Sequence, residues 1–493
     1  MIKFSDWTET RGRQTASWLL IGEGPTFAGL TDIDRSQWTT VGLNYVFRRT
    51  HVDLAIVLDA EAVDSCSVSD FQNVGTLLMP TEPFVHGRPS SITLDELVQA
   101  VPALQTLADE GRIVAFDRAD LEACSGGFDK QRPAIDERIA CELIAKLAAD
   151  DIATLGCDET ADIHDEFRTF RPSRSLLVDP HRTRKQRDHQ RRHLASIAMN
   201  RRPLAQPFRV YINADESQML AAAVLARGIR DFATTPVAIT ILKNPPLPRV
   251  RNPQCWPRNP RALTRFLVPE LAGFQGRALF LEADMLIRGD VAELVSLALD
   301  RCQVAVLQNP KSSGWEPSLQ VINCQRADWQ IERIMQGLDE GRYTSDELIG
   351  SLANVQDSNE IAEQIPTAWQ PIYDQPSAAT QVHRFRDPKH QPWRQEFENS
   401  PAWAEIFRRA IAMGDVTVDD VYDAVEDGYA DDSLLTAFSD DEMELFRARR
   451  RFPMPERPQG PRLVALTRRA YAFAGRSARN PMGAVRRLIH GSW

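Results

Sequence analysis

Residues 278–294 read ALFLEADMLIRGDVAEL, and the rest of the chain is organised around them. Ala278, Leu279, Phe280 and Leu281 form a short apolar run with the length and bulk of a buried strand. The run stops at two acids one residue apart, Glu282 and Asp284. Asp290 then opens a helix-like segment with Glu293 in its first turn, where acids favour the positive end of a helix. In α/β sheets, ligands gather outside the carboxyl ends of strands. Two carboxylates there offer hard oxygen ligands, suited to Mn²⁺ or Mg²⁺ rather than to a thiolate-loving metal. Such an ion would neutralise a diphosphate leaving group, which points to nucleotide-sugar chemistry. An E-x-D after an apolar run is also an ordinary way for a strand to end.

The flanks narrow the reading. Thr264-Arg265-Phe266-Leu267-Val268-Pro269 precedes the strand, Gly273 and Gly276 flank a turn, and Gly289-Asp290 follows. From about residue 209 to 393 the chain resembles family 8 glycosyltransferases and their bacterial relatives. That resemblance implies a GT-A fold and metal-dependent transfer of a hexose from a nucleotide sugar, a UDP-hexose first. It implies retention at the sugar and a glycan or lipid-linked acceptor, as in surface polysaccharide synthesis. Glu282, Asp284 and His383 would hold Mn²⁺ or Mg²⁺, with Glu282 standing where the family has Asp. Asn213 and Asp215, just after a strand, would meet the nucleoside. Arg265 and Lys389 would meet the diphosphate, with Trp393 closing the Pro392-Trp393 signature. Gln356 and Asp357 would join Asp284 beside the donor sugar, and Trp315, Ser318 and Asn323 would line the acceptor side. Taken alone, a polar cluster after a strand is how strands end, and a histidine after a strand is more often packed than a ligand.

Composition bounds the alternatives. The chain has 493 residues, enough for two or three domains. Its 43% hydrophobic and 26% charged residues are ordinary globular values. A net charge of −10 argues against general nucleic-acid binding. Seven cysteines, scattered and without a C-x-x-C pair, read as reduced thiols rather than a disulfide frame or zinc site. The first residues, MIKFSDWTETRGRQ, hold no apolar signal core, and no uncharged apolar stretch approaches the ~18 residues of a membrane span. A cytoplasmic protein is the expectation.

The N-terminal part, 1–170, alternates strands and helices and predicts an α/β, Rossmann-like parallel sheet. Strands are expected at 18–21, 41–44, 53–59 and 152–158, with a helix over 134–149. Gly22-Glu23-Gly24-Pro25-Thr26 follows the first, and two glycines there let a backbone approach a ligand. The order G-x-G-P-Thr, Asn44, Asp59 resembles small bacterial sialyltransferases and related domains, over the first ~60 residues and the Gly156-Cys157-Asp158 turn. Glu23 would repel a phosphate, and a structural turn is the plainer reading. Residues 171–207 form a basic connector whose His189 and His193 stand among arginines. Residues 208–398 carry the transferase-like sheet. From 399 to 493 the chain turns helical and ends in a basic amphipathic tail at 463–489, a candidate for peripheral contact with anionic membrane. Two rivals stand beside the transferase: a non-catalytic nucleotide- or carbohydrate-binding protein, and a bifunctional enzyme with a second site in the N-terminal domain.

Overall fold

The computed structural model describes residues 1–11, 17–64, 66–85, 88–118, 121, 133–147, 151–158, 162–168, 200–252, 255, 259–309, 314–355, 357–362, 365–371 and 381–451. These residues form an α/β protein with two large sheets. The first sheet contains β1 (Ile2–Lys3), β2 (Ser17–Ile21), β3 (Trp38–Leu43), β4 (Val52–Ile56) and β5 (Val74–Pro80). A small antiparallel hairpin, β6 (Phe84–Val85) with β7 (Arg88–Pro89), follows. The sheet is completed by β8 (Ile113–Phe116), β9 (Asp151–Leu155) and β10 (Asn200–Pro203), in the order β1-β8-β5-β4-β3-β2-β9-β10. Every pairing in it is parallel.

A parallel sheet is covered on both faces, and β2 shows how the sequence meets that demand. Leu19 and Ile21 enter one buried apolar cluster, while Trp18 and Leu20 enter another on the opposite face. The four strands expected from sequence are all present, and four more, β1, β5, β8 and β10, extend the sheet. The expected helix is Pro133–Lys146.

The second sheet joins β11 (Phe208–Ala214), β12 (Val237–Lys243) and β13 (Arg277–Glu282). A separate short strand, β14 (Met285–Ile287), comes next, then β15 (Val304–Gln308), β16 (Trp315–Asn323) and β17 (Ile361–Ala362). The order is β12-β11-β13-β16-β15-β17. β11 and β13 are parallel, and β16 runs antiparallel to both β13 and β15. β14 pairs antiparallel with β18 (Val382–Arg384). The segment after Asp290 is shorter than its acids suggested: a single helical turn, Ala292–Val295. Asp290 accepts the amide of Ala292, the first residue of that turn, at 2.9 Å, and also the Thr234 amide and hydroxyl at 3.1 and 2.5 Å.

The chain divides into two compact units. One holds residues 1–213, 232–282 and 289–367. The other holds 214–231, 283–288 and 368–493. Within the second, the helix Met219–Phe232 and the helix Pro401–Ala412 share an ion cluster that is buried except at Arg409. Arg227 meets Asp231 at 2.8 Å and Asp415 at 3.3 Å, and Arg409 meets Asp231 at 3.0 Å. The basic connector up to residue 199 and the basic tail lie outside the described residues. Among the described residues, no helix is long and apolar enough to cross a membrane.

Candidate functional site

In the first unit, β11 and β13 end side by side. Asn213 and Glu282 are register partners there, and the Asn213 amide donates to Glu282 Oε2 at 2.8 Å and to the Arg261 carbonyl at 3.3 Å. Asn213 is buried, and its Oδ1 has no hydrogen-bond partner. Arg265 arrives from the 3₁₀ segment Pro260–Leu267 and is 1% exposed. It donates to the carbonyls of Ala262 and Pro317, both at 2.7 Å, and reaches Glu282 Oε1 at 3.5 Å. Its guanidinium carbon lies 5.1 Å from the centre of the Phe280 ring. The charge is thereby placed beside the carboxylate while the fork is fixed by backbone oxygens.

β16 brings a second set of polar side chains to the same end. Ser318 is fully buried and donates to Glu316 Oε1 at 2.6 Å through its hydroxyl. Trp315 is half-buried against the apolar cluster under the sheet. Asn323, expected on the acceptor side, is not brought there. It pairs with Arg277, at the opposite end of β13 from Glu282. Five residues of strand separate those ends, about 17 Å. Its side chain donates to the Leu299 carbonyl at 2.9 Å. Asp357 lies towards that same far end. It caps a short 3₁₀ turn by accepting from Asn359, and the turn's Glu360 carbonyl accepts from Gln303, whose own carbonyl accepts from Asn323. Gln356 lies outside the described residues.

In the second unit, Asp284 is 8% exposed and accepts from Arg384 Nε through both oxygens, at 3.1 and 3.3 Å. The β14–β18 pairing holds these segments together, with Leu286 opposite His383 and the Phe385 amide donating to the Asp284 carbonyl at 2.8 Å. His383 is 7% exposed, and its Nδ1 has no hydrogen-bond partner. Burial pushes its pKa below the ordinary imidazole value, so the neutral form is favoured. Trp393 is a packing residue: it is 1% exposed and stands 6.4 Å from Phe385 and 6.3 Å from Trp403, ring centre to ring centre. Lys389 is exposed on the 3₁₀ turn Pro388–His390. Asp215 caps the turn before the helix Met219–Phe232, accepting the Ser217 amide at 2.9 Å and hydroxyl at 2.7 Å.

Glu282 and Asp284 each already face a guanidinium. Among the described residues, no group of three or more His, Cys, Asp or Glu side chains could hold a metal. His383 offers a bare ring nitrogen, and burial disfavours its protonated form.

The glycine turn of the first sheet is accounted for by packing. The amides of Gly22 and Gly24 donate to the carbonyls of Leu155 and Gly156 at 2.8 and 2.7 Å, so neither points at a phosphate. Thr26 closes the turn, its hydroxyl donating to Asp158 at 2.5 Å and accepting the Gly156 amide at 2.7 Å. Glu23 is buried and accepts the Tyr45 amide at 3.0 Å. Asn44, with φ +44°, donates to Asp136 at 2.5 Å. Sequence reasoning missed Arg384 as the partner of Asp284, although it directly follows His383. It also missed Glu316 and Gln320, polar residues inside a strand that otherwise reads as apolar.

No family model matches the chain. Protein CDI of Arabidopsis thaliana is 29% identical over 107 residues, which cover 21% of this chain and 41% of that protein. The chain thus spans about two fifths of that relative's length. Among solved structures, the galactosyltransferase LgtC, in complex with donor and acceptor sugar analogues, is 13% identical. That match covers 43% of this chain and 97% of LgtC, at a TM-score of 0.32. The bifunctional glycosyltransferase WbbM is 11% identical over 47% of this chain and 59% of its own, at a TM-score of 0.29. The glycosyltransferase GlyE of Streptococcus pneumoniae TIGR4 is 13% identical over 41% and 60%, at a TM-score of 0.30.

Proposed function

We propose that the chain is a glycosyltransferase that moves a hexose from a nucleotide sugar, UDP-linked, to a glycan or lipid-linked acceptor. The observation that carries this reading is the pairing of Asn213 with Glu282 at the carboxyl ends of two adjacent parallel strands, with Arg265 beside them. Such strand ends are where α/β sheets bind ligands. Hydrogen-bonding side chains and a buried guanidinium suit a ribose and a diphosphate. The sequence run from Arg265 to Asp290, with its resemblance to family 8, supplies the reaction class. In this reading Arg265 stabilises charge on the departing diphosphate. The reading also includes a need for Mn²⁺ or Mg²⁺. Glu282 is already paired with Arg265 and Asp284 with Arg384, so metal uptake is expected to depend on the nucleotide.

The same guanidiniums favour one rival. Acids already neutralised by arginines also suit a protein that binds a nucleotide or glycan without turning it over. Thermal melting with UDP, GDP and CMP, each with and without Mn²⁺, separates the two when run on wild type and on Asp284→Asn. A ligand bound only by the native state raises the melting temperature by mass action. A Mn²⁺-dependent UDP shift, lost in Asp284→Asn, together with release of UDP from a UDP-hexose, supports the transferase. A metal-independent UDP shift without release supports the binding protein. No shift with any nucleotide overturns both.

A further inference from the structure

β16 carries an unusual stripe for the middle of a sheet. Glu316, Ser318 and Gln320 alternate along it, all buried, before the strand turns apolar at Ile322. Glu316 and Ser318 satisfy each other. Gln320 is different. It is 0% exposed, and neither its Nε2 nor its Oε1 has a hydrogen-bond partner. It sits opposite Phe280 on β13 and Val306 on β15, both members of a buried apolar cluster. A buried amide with both ends unmade is destabilising, and such groups in native proteins call for an explanation.

A second observation falls at the same place. The β15–β16 ladder slips beside Gln320: Val306 pairs with Gln320, but the next residue, Leu307, pairs with Glu316. Pro317, Ser318 and Leu319 therefore have no partner on β15. Bulges collect next to active sites, where they re-aim side chains or end pairing. This one adjoins the end of β13 that carries Glu282, and its Pro317 carbonyl is held by Arg265.

We propose that Gln320 is a specificity-determining residue that reads hydroxyl groups of the transferred sugar, entering as the bulged residues 317–319 give way. The inference rests on the transferase reading. A carboxamide offers two N–H donors and an acceptor oxygen, which matches a pair of neighbouring sugar hydroxyls, each both donor and acceptor. A site built to bond a hydroxyl rejects an epimer that points it elsewhere, because the buried amide is then left unpaired. The Asn213 Oδ1, also buried and unpartnered, stands at the end of the next strand but one.

The test compares wild type with Gln320→Met, a change of shape so small that the core should accept it. UDP alone, UDP-glucose, UDP-galactose and UDP-N-acetylglucosamine are the probes, in Mn²⁺, by calorimetric titration, with melting of the free proteins alongside. The expected result is a free protein that melts higher by about 2–4 °C. UDP affinity should be unchanged. Affinity for the best UDP-sugar should fall roughly tenfold, and preference among the three sugars should collapse. A variant that melts lower than wild type would show that the amide is satisfied inside the fold, by a buried water or otherwise, and overturns the inference. An unchanged order and strength of sugar binding overturns it too. A wild type that binds no UDP species overturns the transferase reading and this inference with it, whereas intact donor binding with an indifferent Gln320→Met overturns the inference alone.

Discussion

His383 shows how burial sets the charge of one side chain. Burial lowers its pKa below the ordinary imidazole value by penalising the charged form. In the unfolded chain the same imidazole binds its proton near the ordinary value of about 6.5. Below that pH the unfolded state therefore holds a proton that the folded state resists, and stability falls as pH falls through about 6.5. Above it both states are neutral and the contribution is complete. His164, also lowered by burial, adds a slope of the same sign, so the comparison has to be a difference. Denaturant unfolding of wild type and His383→Gln at pH 5.5 and 7.5 should show a smaller pH-dependent loss in the variant. Equal losses would mean that His383 finds a proton-stabilising partner on folding. Arg265 teaches the complementary lesson. Its full burial is tolerated because two carbonyls and one carboxylate meet its donors, so its position is fixed before any ligand arrives.

At the scale of elements, the contact between β2 and β9 depends on glycine on both sides. A Cβ on Gly22 would run into the Gly156 carbonyl oxygen, and a Cβ on Gly156 would run into that of Gly22. Gly156 also has φ +70°, which an L side chain rarely adopts. Gly22→Ala should cost about 1–3 kcal/mol from crowding, and Gly156→Ala more, because strain adds to the clash. The double variant should depart from the sum of the two, since each new methyl meets the other's backbone. Additive melting shifts would mean that the turns part easily. Much of this element was legible in advance: Trp18 to Ile21 read as a buried strand, and the glycines after it as a close approach. What they approach was not, because Gly156 lies over 130 residues away and no local pattern names it. Asn323 failed for a related reason. Its strand is nine residues long and antiparallel to β13, so Ser318 comes to the Glu282 end and Asn323 goes to the other. Periodicity gives a strand's existence, but neither its direction nor its neighbour. Gln320 was hidden by its setting, one polar residue between Leu319 and Val321.

Across the larger unit, the two big sheets are joined by a buried charge as well as by the chain. Asp162, in the segment after β9, accepts the amide of Ile239 on β12 at 2.9 Å. It also pairs with Arg168 at 2.8 Å, and both side chains are 1% exposed. Arg168 reaches Asp165 at 2.8 Å as well. One carboxylate thus ties a strand of the second sheet to a guanidinium carried beside the first. Ordinary surface pairs contribute little, but removing one partner of a buried pair leaves a desolvated charge and is worth about 3–5 kcal/mol. Asp162→Ala would take from Arg168 its buried carboxylate partner and from the Ile239 amide its acceptor. If this link makes the sheets unfold together, scanning calorimetry should show one main transition for them in wild type. In Asp162→Ala that transition should move down and split, with the split persisting at high salt because the pair is buried from screening ions. Asp162→Asn keeps an acceptor for Ile239 and loses the charge, so it should fall between the two. A single transition, merely lowered, in all three proteins would instead assign the coupling of the sheets to their apolar packing and leave Asp162 a local anchor.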